Sequence, residues 1–234
     1  MNPIWFESKD IKEIFVKKWN QLSNFVEQIC YGQDESHNKE HMEKVANTSL
    51  LIFRNIFGLI KKTNIQLALD TITVAWLHDV LDHKFEHTDE KIKEFDNFLN
   101  KNVRDPILIK NIIERISFSK EEKSISLNKK LDWPEVLGEQ GCTIRDIVSD
   151  ADKLEALGDT GLQRCINFTK FEYHKKNKTE IPFYLLQMEV INHANKKLLK
   201  LKDHYIKTYL GKTLAKPLHE ILLLLLITKF DYSI

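Results

Sequence analysis

The chain has 234 residues, long enough to bury about 70% of its unfolded surface and so to enclose an internal site. Its 35 Lys and Arg against 34 Asp and Glu leave a formal net charge of +1, which gives no general attraction to a nucleic-acid polymer or an anionic membrane. Seven Gly and five Pro are too few for the turns of many short strands, so the composition favours helices.

Cys30, Cys142 and Cys165 are odd in number, far apart and without CxxC spacing, which points away from both a disulfide framework and a thiolate metal site. A reducing cytosol fits best. The opening MNPIWFESKDIKEIF lacks the basic and apolar regions of a signal peptide. The apolar run from Ile221 to Ile227 is too short to span a bilayer. The expected location is cytoplasmic.

Ile11, Ile14, Phe15, Trp19, Leu22, Phe25, Val26 and Ile29 repeat at i, i+3, i+4 and predict a first helix over residues 8 to 30. After a break at Tyr31-Gly32-Gln33-Asp34, a second helix is expected from 36 to 62, with Met42, Val45, Thr48, Leu51, Ile52 and Ile56 inward. A third follows over 65 to 82. Cap-like residues at His87-Thr88-Asp89-Glu90 open a helix over 88 to 100, and Pro106 suits the first position of one over 105 to 117. Residues 118 to 142 mix charge, Ser, Pro and Gly, and read as a surface excursion with one short helix. Further helices are expected over 143 to 157, 160 to 176, 183 to 209 and 214 to 229, the last two packing on the rest. The expectation is one all-α domain of eight to ten helices spanning residues 1 to 234.

Polar residues at positions that should face inward form three clusters. In ESHNKEHMEKV, His37 and His41 lie one turn apart on one helical face, and as a pair they also suit capping or surface roles. In AWLHDVLDHKF, the pairs His78/Asp82 and Asp79/His83 follow the buried-looking Ala75-Trp76-Leu77, and ionisable groups near a core need partners. In IVSDADKLEALGDTGLQRC, Asp150, Asp152 and Glu155 crowd two helical turns. Such crowding calls for metal, protons or cations, or else for a solvated acidic face balanced by Lys153. Taken together, two His and two Asp from separate helices suit a divalent transition metal, with positions left for water and a substrate oxygen.

The order and spacing of these residues resemble the HD-domain metal-dependent phosphohydrolase superfamily, whose pattern is H…HD…D on an all-α scaffold. The likeness covers residues 35 to 170. SHNKEHMEKV, LHDVLDHKF, IIERISFS and DADKLEALGDTGLQR are most similar to the small single-domain bacterial HD hydrolases that act on nucleotides. The resemblance implies His41, His78, Asp79 and Asp152 as ligands of one divalent metal ion (Mn, Mg, Ni, Co or Fe). Asp152 is preferred to Asp150 for its Ala-Asp-x-Leu setting.

It further implies that Asp82 orients the attacking water or acts as general base, its alternative being a hydrogen bond to a ligand histidine. His37 would bind phosphate or protonate the leaving oxygen. Lys84, Lys153 and Arg164 would meet substrate phosphates, although each could be a surface or balancing charge. Gly158 and Gly161 could let the backbone approach an anion, a helix-ending Gly158 being the simpler account. The implied partner is a small phosphorylated molecule, foremost a nucleotide, with no nucleic-acid polymer and no membrane; a homodimer is one option for assembly. The competing readings are a catalytically idle HD fold that binds a nucleotide as sensor, an alarmone-type pyrophosphohydrolase and a di-iron oxygenase. The alarmone reading is weakened by Asp82-His83, where those relatives carry Glu-Asp.

Overall fold

The computed structural model describes residues 5 to 30, 39 to 81, 88 to 127 and 131 to 232. Among them are ten α-helices and no strand beyond one isolated parallel bridge between Phe6 and Ile60. The fold is all-α, as the scarcity of turn residues implies. The chain forms two compact units, Met1–Ser149 and Asp150–Ile234, with the division inside one helix.

In the first unit, α1 (Lys9–Ile29) starts where the Ser8 hydroxyl accepts the Ile11 amide, and it buries Ile11, Phe15, Trp19, Leu22, Phe25, Val26 and Ile29. α2 (Lys39–Phe57) ends five residues before the expected boundary at 62, because Gly58 turns into the left-handed region at φ 72°. α3 (Ile65–Leu77) is the most enclosed of these helices and packs on both α1 and α2. Eight of its 13 residues are buried, and the hydroxyls of Thr71 and Thr73 donate to the carbonyls of Leu67 and Leu69, so the two polar side chains cost little. Trp76 meets Trp19 edge-on at 5.3 Å.

α3 does not run to residue 82. It stops at Leu77, and residues 78 to 81 form turns, which releases His78 and Asp79 at a helix end. α4 (Asp89–Asn102) and α5 (Pro106–Glu114) begin at Thr88 and Asp105, whose side chains accept the Lys91 and Leu108 amides.

The described part of residues 118 to 142 holds the one short helix expected there, α6 (Phe118–Ser126), and also the start of α7 (Trp133–Glu155), and so is more regular than its composition suggests. The cause is Arg145, fully buried, which donates to Glu121 at 2.7 Å, Asp146 at 2.9 Å and the Arg115 carbonyl at 3.0 Å. Its guanidinium also lies 3.6 Å from the centre of the Trp133 ring. Gly138, at φ 63°, supplies the break between the two helical segments of α7.

The second unit holds the end of α7, α8 (Gly158–Asn177), α9 (Phe183–Lys196) and α10 (Tyr209–Phe230). The single helix expected over 183 to 209 ends at Lys196. A 3-10 turn (Leu198–Lys200) and a π turn (Leu201–Tyr205) follow it. α10 begins at 209 rather than 214, capped by the Thr208 hydroxyl on the Gly211 amide.

Candidate metal centre

His41 sits in the first turn of α2, between the buried face formed by Met42 and Val45 and the helix end, and is 4% exposed. His78 follows α3 directly and is 7% exposed. Its Nδ1 lies 2.9 Å from the Ala75 carbonyl oxygen. A carbonyl only accepts, so Nδ1 carries the proton and Nε2 presents its lone pair.

Asp79 joins the two imidazoles. Its Oδ2 lies 3.5 Å from His41 Nε2 and 3.5 Å from His78 Nε2, and the two rings stand 5.3 Å apart at 64°. α7 continues past Ser149 and carries Asp152. His41, His78, Asp79 and Asp152 each offer one ligand atom, and all four atoms lie within 4.8 Å of one another. Two imidazole nitrogens and two carboxylate oxygens, half of the residues buried, suit a divalent transition metal. The Ala75 carbonyl fits the same purpose, since a ligating histidine commonly donates its other ring N–H to a fixed acceptor.

Asp150, the alternative to Asp152, is engaged elsewhere. Its carboxylate accepts the Lys207 amide at 2.9 Å, the Thr208 amide at 2.6 Å and the Thr208 hydroxyl at 2.7 Å. A Cβ on Gly211 would fall 2.6 Å from Asp150 Oδ2, so this glycine lets the first turn of α10 close on the carboxylate. Burial pushes the Asp150 carboxyl above the usual range, opposed by those hydrogen bonds and by the charge of Lys153.

Lys153 is itself 2% exposed and so is no surface cation. Arg164 is half-buried in α8. Gly158 does not end a helix but opens α8, at φ 68°, just after α7 ends at Glu155. The space beside Gly161 is taken, because a Cβ there would lie 2.1 Å from the Ala156 backbone; its absence serves the α7–α8 corner rather than an anion. His37, Asp82 and Lys84 lie outside the described residues. Sequence reasoning missed the Ala75 carbonyl, which has no side-chain signature, and the role of Asp150, whose partners stand 57 and 58 positions away.

No protein-family model matches the sequence, and no curated protein matches it. Solved structures do. A Lactobacillus plantarum protein is 21% identical with a TM-score of 0.64, covering 90% of this chain and 93% of that one. Bacillus subtilis YpgQ in complex with ADP is 20% identical with a TM-score of 0.60, covering 93% and 99%. An HD-superfamily hydrolase from Bacillus thuringiensis is 21% identical with a TM-score of 0.54, covering 94% and 100%. The chain therefore shares the fold of these proteins, among them that HD-superfamily hydrolase. No helix among the described residues is long and apolar enough to cross a membrane.

Proposed function

We propose that this HD-fold chain is a divalent-metal-dependent phosphohydrolase acting on a nucleotide or a similar phosphorylated small molecule. The observation that carries the reading is the four-residue group His41, His78, Asp79 and Asp152, with its ligand atoms within 4.8 Å of one another. The ADP bound to Bacillus subtilis YpgQ, a protein of like fold, supports a nucleotide as the substrate class.

In this reading His41, His78, Asp79 and Asp152 hold one metal ion. Such an ion lowers the pKa of water and polarises a phosphoryl oxygen. The protein contributes position. The Ala75 carbonyl keeps His78 in one tautomer and orientation, and Asp79 stands between both imidazoles. Asp82 is assigned to orient the water and take its proton. His37 is assigned to a substrate phosphate or to protonation of the leaving oxygen. Lys84, Lys153 and Arg164 are assigned to balance phosphate charge, Lys153 from a buried position that strengthens its field.

The test is release of phosphate and of pyrophosphate from a panel of nucleoside mono-, di- and triphosphates, with Mn, Mg, Ni or Co added. Turnover that requires metal and is lost in Asp79→Asn supports the assignment. A chain that binds a nucleotide yet hydrolyses none with any metal is a sensor, and the enzyme reading then fails. Asp82→Ala with metal retained and turnover unchanged removes Asp82 from its role.

A further inference from the structure

α10 is apolar on two sides. Leu222, Leu226 and Phe230 form the side that is buried within the second unit. On the opposite side Ile221, Leu224 and Ile227 are 44%, 60% and 39% exposed. Phe183 of α9, 64% exposed, stacks on Phe230 at 6.3 Å at the other side of the helix. A stripe at i, i+3, i+6 on an already packed helix is what a further helix would cover. Contiguous exposed apolar surface of this kind marks an interaction site.

The charges around the stripe select its occupant. Lys216 and Asp231 are both exposed, lie at opposite ends of the stripe, Asp231 as the left-handed C-cap of α10, and form no ion pair with any described residue. We propose that α10 packs antiparallel against α10 of a second copy of this chain, about a two-fold axis near Leu224. In that register Leu224 meets its own counterpart, Ile221 meets Ile227, and Lys216 of each copy comes within a turn of Asp231 of the other. Glu220 falls opposite the neutral Thr228. A parallel pairing would instead set Lys216, Glu220 and Asp231 each against its own like charge, which is destabilising. A two-fold interface satisfies every contact twice, so the two Lys216–Asp231 pairs close both ends of the stripe.

Sedimentation velocity on the full chain, from about 1 to about 100 μM, reads the association directly. The wild type should reach a dimer within this range. Leu224→Glu places two carboxylates at the axis and should weaken the dimer by about 10-fold or more, with helix content by circular dichroism unchanged. Lys216→Glu sets like charges at both ends and should weaken it several-fold. Adding Asp231→Lys should restore association to within about 2-fold, since the paired charges couple. Lysine tolerates the left-handed conformation of position 231, as Lys178 adopts it at φ 58°. A wild type that stays monomeric, a dimer undiminished by Leu224→Glu, or a double variant no better than Lys216→Glu alone overturns the proposal.

Discussion

His78 Nδ1 lies 2.9 Å from the carbonyl oxygen of Ala75, three residues earlier at the end of α3. The bond assigns the ring proton to Nδ1, so any proton added at acid pH must go to Nε2, the atom offered to a metal. Metal and proton therefore compete for one lone pair on each imidazole, and binding releases protons. We expect Mn affinity to fall by about 10-fold or more between pH 7.5 and 5.5. Calorimetric titration in buffers of different ionisation enthalpy measures both the affinity and the proton release. An affinity independent of pH would contradict ligation by His41 and His78.

Arg145 and Glu121 form a 2.7 Å ion pair whose side chains are 0% and 1% exposed. Removing either partner breaks this buried pair, although Arg145 keeps Asp146 at 2.9 Å. Arg145→Met alone, and Glu121→Leu alone, should each destabilise the chain by about 3–5 kcal/mol in urea unfolding. The double variant should cost clearly less than the sum of the two. Additive losses would show that the pair does not organise α5, α6 and α7.

Two glycines separate steric crowding from backbone strain. At Gly161 a Cβ would meet the Ala156 carbonyl carbon at 2.1 Å, whereas at Gly138 it would meet nothing within 4 Å but would have to adopt φ 63°. Gly161→Ala should cost about 3 kcal/mol or more, because the α7–α8 corner must open. Gly138→Ala should cost about 1–2 kcal/mol. Thermal unfolding of both variants ranks them, and the reverse order would refute the close approach at Gly161.

Asp70, half-way along α3, has its carboxyl pushed above the ordinary range by burial, with the Gln66 hydrogen bond and the charges of Lys18 and Arg104 opposing. A raised carboxyl favours the protonated native state, so its contribution is full below the ordinary pKa of 3.8 and is lost as pH rises through the folded-state value. Asp70→Asn removes that loss. The stability of Asp70→Asn relative to wild type should therefore grow from pH 3 to pH 7; a difference that shrinks over this interval would contradict the burial effect.

How far the sequence could be read depended on the range of the interactions involved. α1 was legible because Ile11, Phe15, Trp19, Leu22 and Val26 mark one face by local periodicity, and α4 and α5 because Thr88 and Asp105 cap within three residues. α6 was legible only as one short helix in a surface excursion, because Glu121 looks like surface charge until Arg145, 24 positions later, folds onto it. The split of the expected 183–209 helix and the early start of α10 depend on Asp150, 58 positions before Thr208. The candidate site shows the same limit. His41, His78, Asp79 and Asp152 carry side-chain signatures, whereas the Ala75 carbonyl that orients His78 is backbone and the shortening of α3 to Leu77 leaves no mark in the letters.

The central claim is that His41, His78, Asp79 and Asp152 form one metal site. The most direct measurement is calorimetric titration of Mn into the wild type and into the four single Ala variants, each first confirmed as folded by circular dichroism. We expect one ion per chain for the wild type and a loss of affinity of about 100-fold or more in every variant, larger than the usual cost of losing a residue that only supports a ligand. A wild type that binds no Mn at millimolar concentration, or an Asp152→Ala variant that binds it as tightly as the wild type, would contradict the claim.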